Sequence, residues 1–422
     1  MYQSLRRNRK MFRELIPFER ARKIILENVP SKPAETERVP LYEAYNRVLA
    51  EDIIAPFDVP NFNRSTVDGY AVRAEDTFGA EEERPVKLKL IGRINVGEAP
   101  GISINPMEAA EIATGAALPK GANAVVMIEY TNQQDNEVLI YRPVVKGENI
   151  IKPGDDIKRG EKILREGGVL GPRKIGVLAA LGFTEVKVYS RPKIAIISTG
   201  PEIVKPGNPL QLGKVYDINS YTLSAAVNEL GAIPINMGIV LDEEKEIENA
   251  IKTALENADA VITSGGVSVG PKDLIPKVLA KLGKPGILFC GISIKPGKPT
   301  TFAVIEGKPV FSLPGQPTSA LFVFFTLVGP ALMQMAGIRE EKSIQTVEAY
   351  AGEKMFPARG RKTFVMVTLK RDSLGRLIAN PVPKGLSGAI TTLAKANGYV
   401  EIPENRQFIE CGEKVTVHLF GD

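Results

Sequence analysis

The chain has one histidine and two cysteines in 422 residues, and a net charge of only +5. Each scarcity excludes something. The single histidine, His418, lies in the strand-like stretch VTVHLF near the C-terminus and reads as a packed or surface strand residue. Ser-His-Asp triads and multi-histidine metal sites are therefore set aside. Chemistry must come from carboxylates, lysines, arginines, hydroxyls and backbone amides, with a hard ion such as Mg²⁺ as the fitting metal. Cys290 and Cys411 are too few and too far apart for a zinc site or a disulfide framework, which fits a reducing cytoplasm. The small net charge gives no reason to expect nucleic acid as a partner, and Arg6, Arg7, Arg9 and Lys10 read as a solvated N-terminal edge. Nothing in the opening residues resembles a secretory signal, because Arg13, Glu14, Glu19 and Arg20 interrupt any apolar core. The apolar stretch from Leu321 to Gly337 is slightly short for a membrane span and contains Gly329 and Pro330, so it reads as a buried helix, and no membrane is expected as a partner.

What is present is ordinary for a globular protein, with 44% hydrophobic and 24% charged residues, and the length calls for two to four domains. Residues 17–29 and 42–50 have helical apolar period, which is lost over 51–66 with Pro56 and Pro60. From 85 to 150 the pattern is strand-like, in VKLKLIGRINVG, NAVVMIEY and EVLIYRPV. The stretch GPRKIGVLAALG predicts a helix closed by Gly182. From Lys193 apolar strands alternate with helices: KIAIIS, INMGIVLD, ADAVITS and ILFCGISI with SYTLSAAVNELGA, EEKEIENAIKTALEN and KDLIPKVLAKLG, then the hairpin TFAVIEGKPVFSLPG and a helix from Pro317. That alternation predicts a mostly parallel sheet buried on both faces, with ligands held at the edge where strands end. The last 80 or so residues lack a long helix and predict a small β-barrel or sandwich.

Five loops converge on that strand edge. They are Thr199-Gly200-Pro201-Glu202, Asp242, TSGGVSVGPKD over 263–273, Lys295-Pro296-Gly297-Lys298-Pro299, and Leu313-Pro314-Gly315-Gln316-Pro317 followed by Ser319. Glycines and helix N-termini favour an anion through amide donors and the helix dipole. The candidate substrate-binding residues are Ser198, Thr199, Gly200, Gly265, Gly266, Ser268, Gly270, Pro314, Gly315 and Pro317. Lys295 and Lys298 sit on a proline-stiffened turn. Glu202, Asp242 and Asp273 are candidate Mg²⁺ ligands, since three carboxylates near a phosphate need a cation between them; Asp242 taken alone serves equally as a helix N-cap. The loop at 263–273 fits neither Gly-x-x-x-x-Gly-Lys-Ser/Thr nor Gly-x-Gly-x-x-Gly. A second polar concentration lies upstream, in VPNFNRSTVDGYAVR with Asp68, in EIATGAALPKGANAVVMIE with Thr114, and in GENIIKPGDDI with Asp155 and Asp156.

Seven stretches in order, FNRSTVDGYAVR, IATGAALPKGANAVV, GENIIKPGDDI, ISTGPEI, TSGGVSVGPKD, IKPGKP and LPGQPTSA, resemble the molybdopterin molybdenumtransferase family, which comprises MoeA and gephyrin E-domains. The resemblance runs over roughly residues 17–422. It implies a multidomain α/β plus β fold: a discontinuous helical linker and dimer domain (1–56 and 151–190), a β-rich domain (57–150), a three-layer α/β molybdopterin-binding domain (191–338) and a C-terminal β-barrel (339–422). It implies insertion of molybdate or tungstate into adenylylated molybdopterin with release of AMP, dependent on Mg²⁺. Asp68, Thr114 and Asp156 match catalytic positions, and Glu202, Asp242 and Asp273 the acidic metal cluster. Lys295, Lys298 and Ser319 match the molybdate-holding positions, which Arg361 in RGRKTF and Ser387 in GLSGAI approximate. Gly291 stands where some family members carry a basic residue, and Gln316 where Asn is more usual. A homodimer whose site is shared between subunits is implied, as is a molybdopterin adenylyltransferase as upstream partner. Two rival readings are a gephyrin-like scaffold without catalysis, which would need an exposed apolar peptide groove, and an adenylyltransferase, against which the additional domains argue.

Overall fold

The computed structural model describes residues 15–266, 274–340, 345–382 and 390–420. The chain divides into two compact units: Met1–Ala50 with Gly167–Gly171 and Glu185–Asp422, and Glu51–Glu166 with Pro172–Thr184. The run Arg6, Arg7, Arg9 and Lys10 lies outside the described residues.

In the first unit, helix α1 (Phe18–Glu27) turns Ala21 and Ile25 into the core. The second unit is built on a six-stranded sheet: β1 (Gly69–Val72), β2 (Val86–Ile94), β3 (Glu108–Ile112), β4 (Ala124–Met127), β5 (Thr131–Gln134) and β6 (Glu137–Ile140), in the order β4-β1-β3-β2-β6-β5. The central strand β1 is buried along its whole length. Tyr70 and Val72 enter one core cluster and Ala71 the other, as period-two alternation requires. Helix α2 (Pro172–Ala180) follows, and Gly182 at φ 78° takes the left-handed conformation after its end.

The predicted helix over 42–50 does not form. Leu41–Glu43 make one 3-10 turn, and Asn46 takes a left-handed φ of 57°. The Asn46 and Leu49 amides instead donate to the carbonyls of Leu170 and Gly168. Ala44, Val48 and Leu49 are buried in this irregular segment while Tyr42 and Tyr45 face solvent. Pairing with a distant segment overrides the local period.

The α/β part comprises β7 (Lys193–Thr199), α3 (Asn219–Glu229), β8 (Ile233–Val240), α4 (Glu244–Asn257), β9 (Ala260–Ser264), α5 (Leu274–Leu282), β10 (Pro285–Cys290), β11 (Ile294–Lys295), β12 (Thr301–Ile305), β13 (Lys308–Leu313), α6 (Pro317–Val323) and α7 (Gly329–Met335). The main sheet runs β8-β7-β9-β13-β12-β10. β7, β8, β9 and β13 are parallel, and β12 runs against both neighbours. β10 therefore points the same way as β13, and the C-terminal ends of β7, β8, β9, β10 and β13 share one edge. Ile194 and Ile196 of β7 pack on one face, Ala195 and Ile197 on the other, which explains the unbroken apolar run.

The apolar stretch 317–335 is helical, with a π turn at Phe324–Val328. Pro330 has no amide to donate into the ladder, and the widened turn just ahead of it accommodates that gap. This helix has the length and apolarity of a membrane span, yet Phe322, Val323, Phe324, Leu327, Val328, Ala331 and Leu332 are buried in the α/β core.

The expected strand ILFCGISI breaks at Gly291, whose φ is 91°. Beyond it, Ile294 and Lys295 form β11 and leave the α/β sheet for the C-terminal one. There β14 (Thr346–Ala351), β15 (Lys362–Arg371), β16 (Leu377–Pro381), β17 (Gly398–Ile402) and β18 (Lys414–Leu419) run β15-β16-β14-β18-β17, and β17 pairs back to β15 to close a barrel. His418 lies on β18, stacked on Tyr399 at 5.0 Å, a packed strand residue as its sequence context predicts.

Candidate functional site

The shared strand edge is built from glycine turns that touch. Gly265 follows β9 at φ +94°, and a Cβ there would lie 1.9 Å from the Thr199 carbonyl oxygen. A Cβ on Gly315 would come within 3.5 Å of the Gly265 Cα. Glycine is required at 265, where any side chain would collide with the turn after β7, while the turn after β13 packs against it at ordinary van der Waals distance. Ser198, Thr199, Gly265 and Pro314 are buried, Gly200, Gly266 and Pro317 half-buried, and Gly315 exposed. Ser268, Gly270 and Asp273 lie outside the described residues.

Beneath the turns runs a buried polar network that sequence reasoning missed. Asp217, 5% exposed, accepts hydrogen bonds from Ser198 Oγ at 3.0 Å, Ser220 N at 3.1 Å and Ser220 Oγ at 2.5 Å. Asn219 Nδ2 donates to Ser264 Oγ at 2.6 Å and to the Gly315 carbonyl at 2.8 Å. The detectable signal was the Asp217-x-x-Ser220 spacing at a helix start, a capping pattern. Asp217 also stitches the excursion after β7 into place: its amide donates to Val204, and Val215 N to Glu202 O.

The acidic candidates sit at adjoining strand ends. Asp242, half-buried after β8, is 3.5 Å from Thr199 Oγ1. Glu202 is exposed, and its carboxylate folds over Gly200, where a Cβ would meet Oε2 at 2.9 Å. Among the described residues no group of three acidic, histidine or cysteine side chains is arranged to hold a metal.

The lysine turn hangs between β11 and β12. Gly297 at φ +103° packs so closely on Val323 that a Cβ would come within 2.5 Å of it, and Thr300 Oγ1 donates to the Gly297 carbonyl at 2.7 Å. Lys295 is exposed and Lys298 half-buried. β11 pairs in parallel with β15, Ile294 with Lys362 and Lys295 with Thr363, and Ser293 Oγ donates to the Gly360 carbonyl at 3.1 Å. Arg361 thus lies two residues before Thr363, the partner of Lys295. Its neighbour Lys362 bonds Glu401 at 2.7 Å and Glu19 at 2.9 Å. Burial works to lower the Lys362 pKa, but the two carboxylates outweigh it and raise the pKa. Lys362 is committed to the frame, while Arg361 is half-buried beside the turn. Ser319 is buried in α6; Ser387 lies outside the described residues.

In the other unit, Asp68 and Thr114 meet: the Thr114 amide donates to Asp68 Oδ1 at 2.8 Å, and both residues are exposed. Gly115 N bonds Ser65 O and Ile128 N bonds Asp68 O, which fixes both turns. Asp156 is exposed, with its amide on the Val59 carbonyl. Its loop is carried to this region by pairing of Ile150–Ile151 with Arg64–Ser65.

Comparison with known proteins covers nearly the whole chain. Residues 16–182 match the MoeA N-terminal region (domain I and II), 195–334 the "Probable molybdopterin binding domain", and 348–420 the MoeA C-terminal region (domain IV). A molybdopterin molybdenumtransferase of Haemophilus influenzae is 35% identical over 96% of this chain and 99% of its own. Two crystal structures of molybdopterin biosynthesis MoeA proteins from Pyrococcus horikoshii superpose with TM-scores of 0.83 each. One is 42% identical, covering 97% of this chain and 100% of that one; the other is 34% identical, covering 96% and 100%.

Proposed function

Because the chain belongs to the MoeA family of molybdopterin molybdenumtransferases, we propose that it inserts molybdate, or tungstate, into adenylylated molybdopterin, releases AMP and so forms molybdenum cofactor. The observation that carries this reading is the strand edge itself. Closely packed glycine turns, suited to a phosphate, lie at the edge from which the chain runs on to Lys295 and Lys298, with Arg361 two residues before Thr363, the partner of Lys295. Phosphate and oxyanion thus have separate holders.

Each residue has a task that its geometry supports. Backbone amides of the glycine turns receive the phosphate of the pterin substrate. Lys295, Lys298 and Arg361 hold the oxyanion, with Ser319 nearby in the sequence of α6; a charge-assisted hydrogen bond contributes about 1.5–3 kcal/mol. Asp68 Oδ1 is occupied by the Thr114 amide, so Oδ2 is the atom that takes a proton from an attacking water. Asp156 is the second carboxylate on that side. The donors Glu202 and Asp242 are all oxygen and sit at neighbouring strand ends, which fits Mg²⁺, an ion satisfied by one or two carboxylates plus phosphate and water. Bound there, Mg²⁺ would neutralise charge on the pyrophosphate. Asp273 is assigned to the same group by motif alone.

We further propose a cytoplasmic homodimer in which the Asp68 region of one subunit completes the strand edge of its partner, supplied by an upstream molybdopterin adenylyltransferase. Exposed apolar side chains flank both regions: Leu210, Leu212, Val215 and Tyr216 near Glu202, and Phe62 and Ile128 near Asp68. Neither cysteine is in a disulfide, which suits a reducing compartment.

The decisive assay combines purified protein, adenylylated molybdopterin, Mg²⁺ and either oxyanion. AMP release together with cofactor formation is expected; neither product above the protein-free control overturns the proposal. Mixed Asp68→Asn and Lys298→Ala subunits should regain part of the activity if the site is shared. No recovery in verified heterodimers would place each site within one subunit.

A further inference from the structure

Asn219 is the first residue of α3 and is 5% exposed, yet its side chain caps no helix end among the described residues. Its Nδ2 reaches two segments that are remote in sequence: Ser264 Oγ at the end of β9 and the Gly315 carbonyl after β13. A carbonyl oxygen only accepts, so the Gly315 bond fixes which end of the amide faces the turns. The other end, Oδ1, is buried and accepts no hydrogen bond among the described residues. A tie made only for stability would leave no buried acceptor stranded, because burying one without a donor is costly. The two tied turns are also those whose glycines nearly touch. Their separation decides whether the backbone amides can converge on a phosphate.

We propose that Asn219 is a binding and positioning residue for the molybdopterin substrate. Its NH₂ group sets the spacing of the Gly265 and Gly315 turns, and Oδ1 accepts a hydrogen bond from an N–H of the bound pterin nucleotide. This rests on the functional reading above and deepens it. The lysine turn is tied to β15 and not to Asn219, so oxyanion binding is independent of this residue.

The test is equilibrium binding of molybdopterin, together with steady-state kinetics, for wild type, Asn219→Ala and Ser264→Ala. Asn219→Ala removes both functions and should raise the molybdopterin Kd, and the KM for adenylylated molybdopterin, at least about tenfold. The KM for molybdate should stay within about twofold of wild type. Ser264→Ala breaks one of two ties and should raise the same two constants about threefold. If Asn219→Ala does not fold, Ser264→Ala decides by the same split. Wild-type pterin affinity in the folded variants, or an equal rise in the molybdate KM, would overturn the inference. Failure of the wild type to bind molybdopterin would instead overturn the functional reading on which it rests.

Discussion

Asp217 and Asp68 are both aspartates near a strand end, but one is sealed and the other is open. Asp217, in the α/β part, is buried and accepts three hydrogen bonds from Ser198 and Ser220. Asp68, in the β-rich unit, is exposed and accepts one bond, from the Thr114 amide. A carboxylate whose lone pairs are taken inside the protein holds chain segments together and exchanges nothing with solvent. One fixed at a single oxygen is aimed, and its other oxygen remains available for a proton. On the function proposed above, the first braces a cradle and the second serves the chemistry.

The contrast can be broken most directly at Asp68. Asp68→Asn keeps the shape and the Thr114 contact but removes the base, so the rate of cofactor formation should fall by about 10²–10⁴-fold, with the thermal midpoint unchanged. A wild-type rate would remove Asp68 from the chemistry. The complementary change, Asp217→Asn, puts an NH₂ among donors in a buried site. It should cost about 2–3 kcal/mol and lower the melting midpoint by several degrees, as read by calorimetry. A midpoint equal to wild type would show that the network holds nothing. Within the cradle, Lys298→Ala should weaken molybdate binding by about ten- to a hundredfold and leave molybdopterin affinity nearly unchanged; titration calorimetry with each ligand separates the two. Equal oxyanion affinity in mutant and wild type would make Lys298 a surface charge.

The smallest effect concerns pH. Burial pushes the Tyr399 hydroxyl up to about 12 from an ordinary value of 10.0, with Glu401 adding to the shift. The folded state thus holds the proton more tightly than the unfolded chain. That contribution is fully present below pH 10 and is lost as pH rises toward about 12. Tyr399→Phe should flatten the decline in melting midpoint above pH 10, without effect at neutral pH. An unchanged slope would mean that Tyr399 does not govern it.

Much of the cradle is legible in the sequence, because KIAIIS and ADAVITS are apolar on both faces and only a sheet covered on both sides accepts that. The strand ends, and with them Thr199, Gly265, Lys295 and Gly315, follow from topology. The meeting of Asp68 with Thr114 belongs to a pairing of β1 with β3 that no local pattern states. Asn219 escaped because its side chain acts on Ser264 and Gly315, 45 and 96 residues away, and Asp217 because its bond to Ser198 spans 19 residues, although its spacing to Ser220 was readable as a cap. Residues 42–50 misled because an apolar period is read locally, whereas Leu49 and Asn46 bond to residues 167–171. The break at Gly291 was visible as a glycine but not as a change of sheet.

That change of sheet limits how the molecule can be taken apart. β11 is two residues long, yet it is the rung through which the lysine turn is hung on the barrel. A fragment ending at Arg339 would keep every strand of the α/β sheet and still lack the backbone that steadies Lys295. Cradle and barrel are therefore separable on paper as domains but not as inheritable parts. A chimera that exchanged the barrel would have to carry a matching Lys362–Thr363 rung, or it would lose the pairing that steadies Lys295.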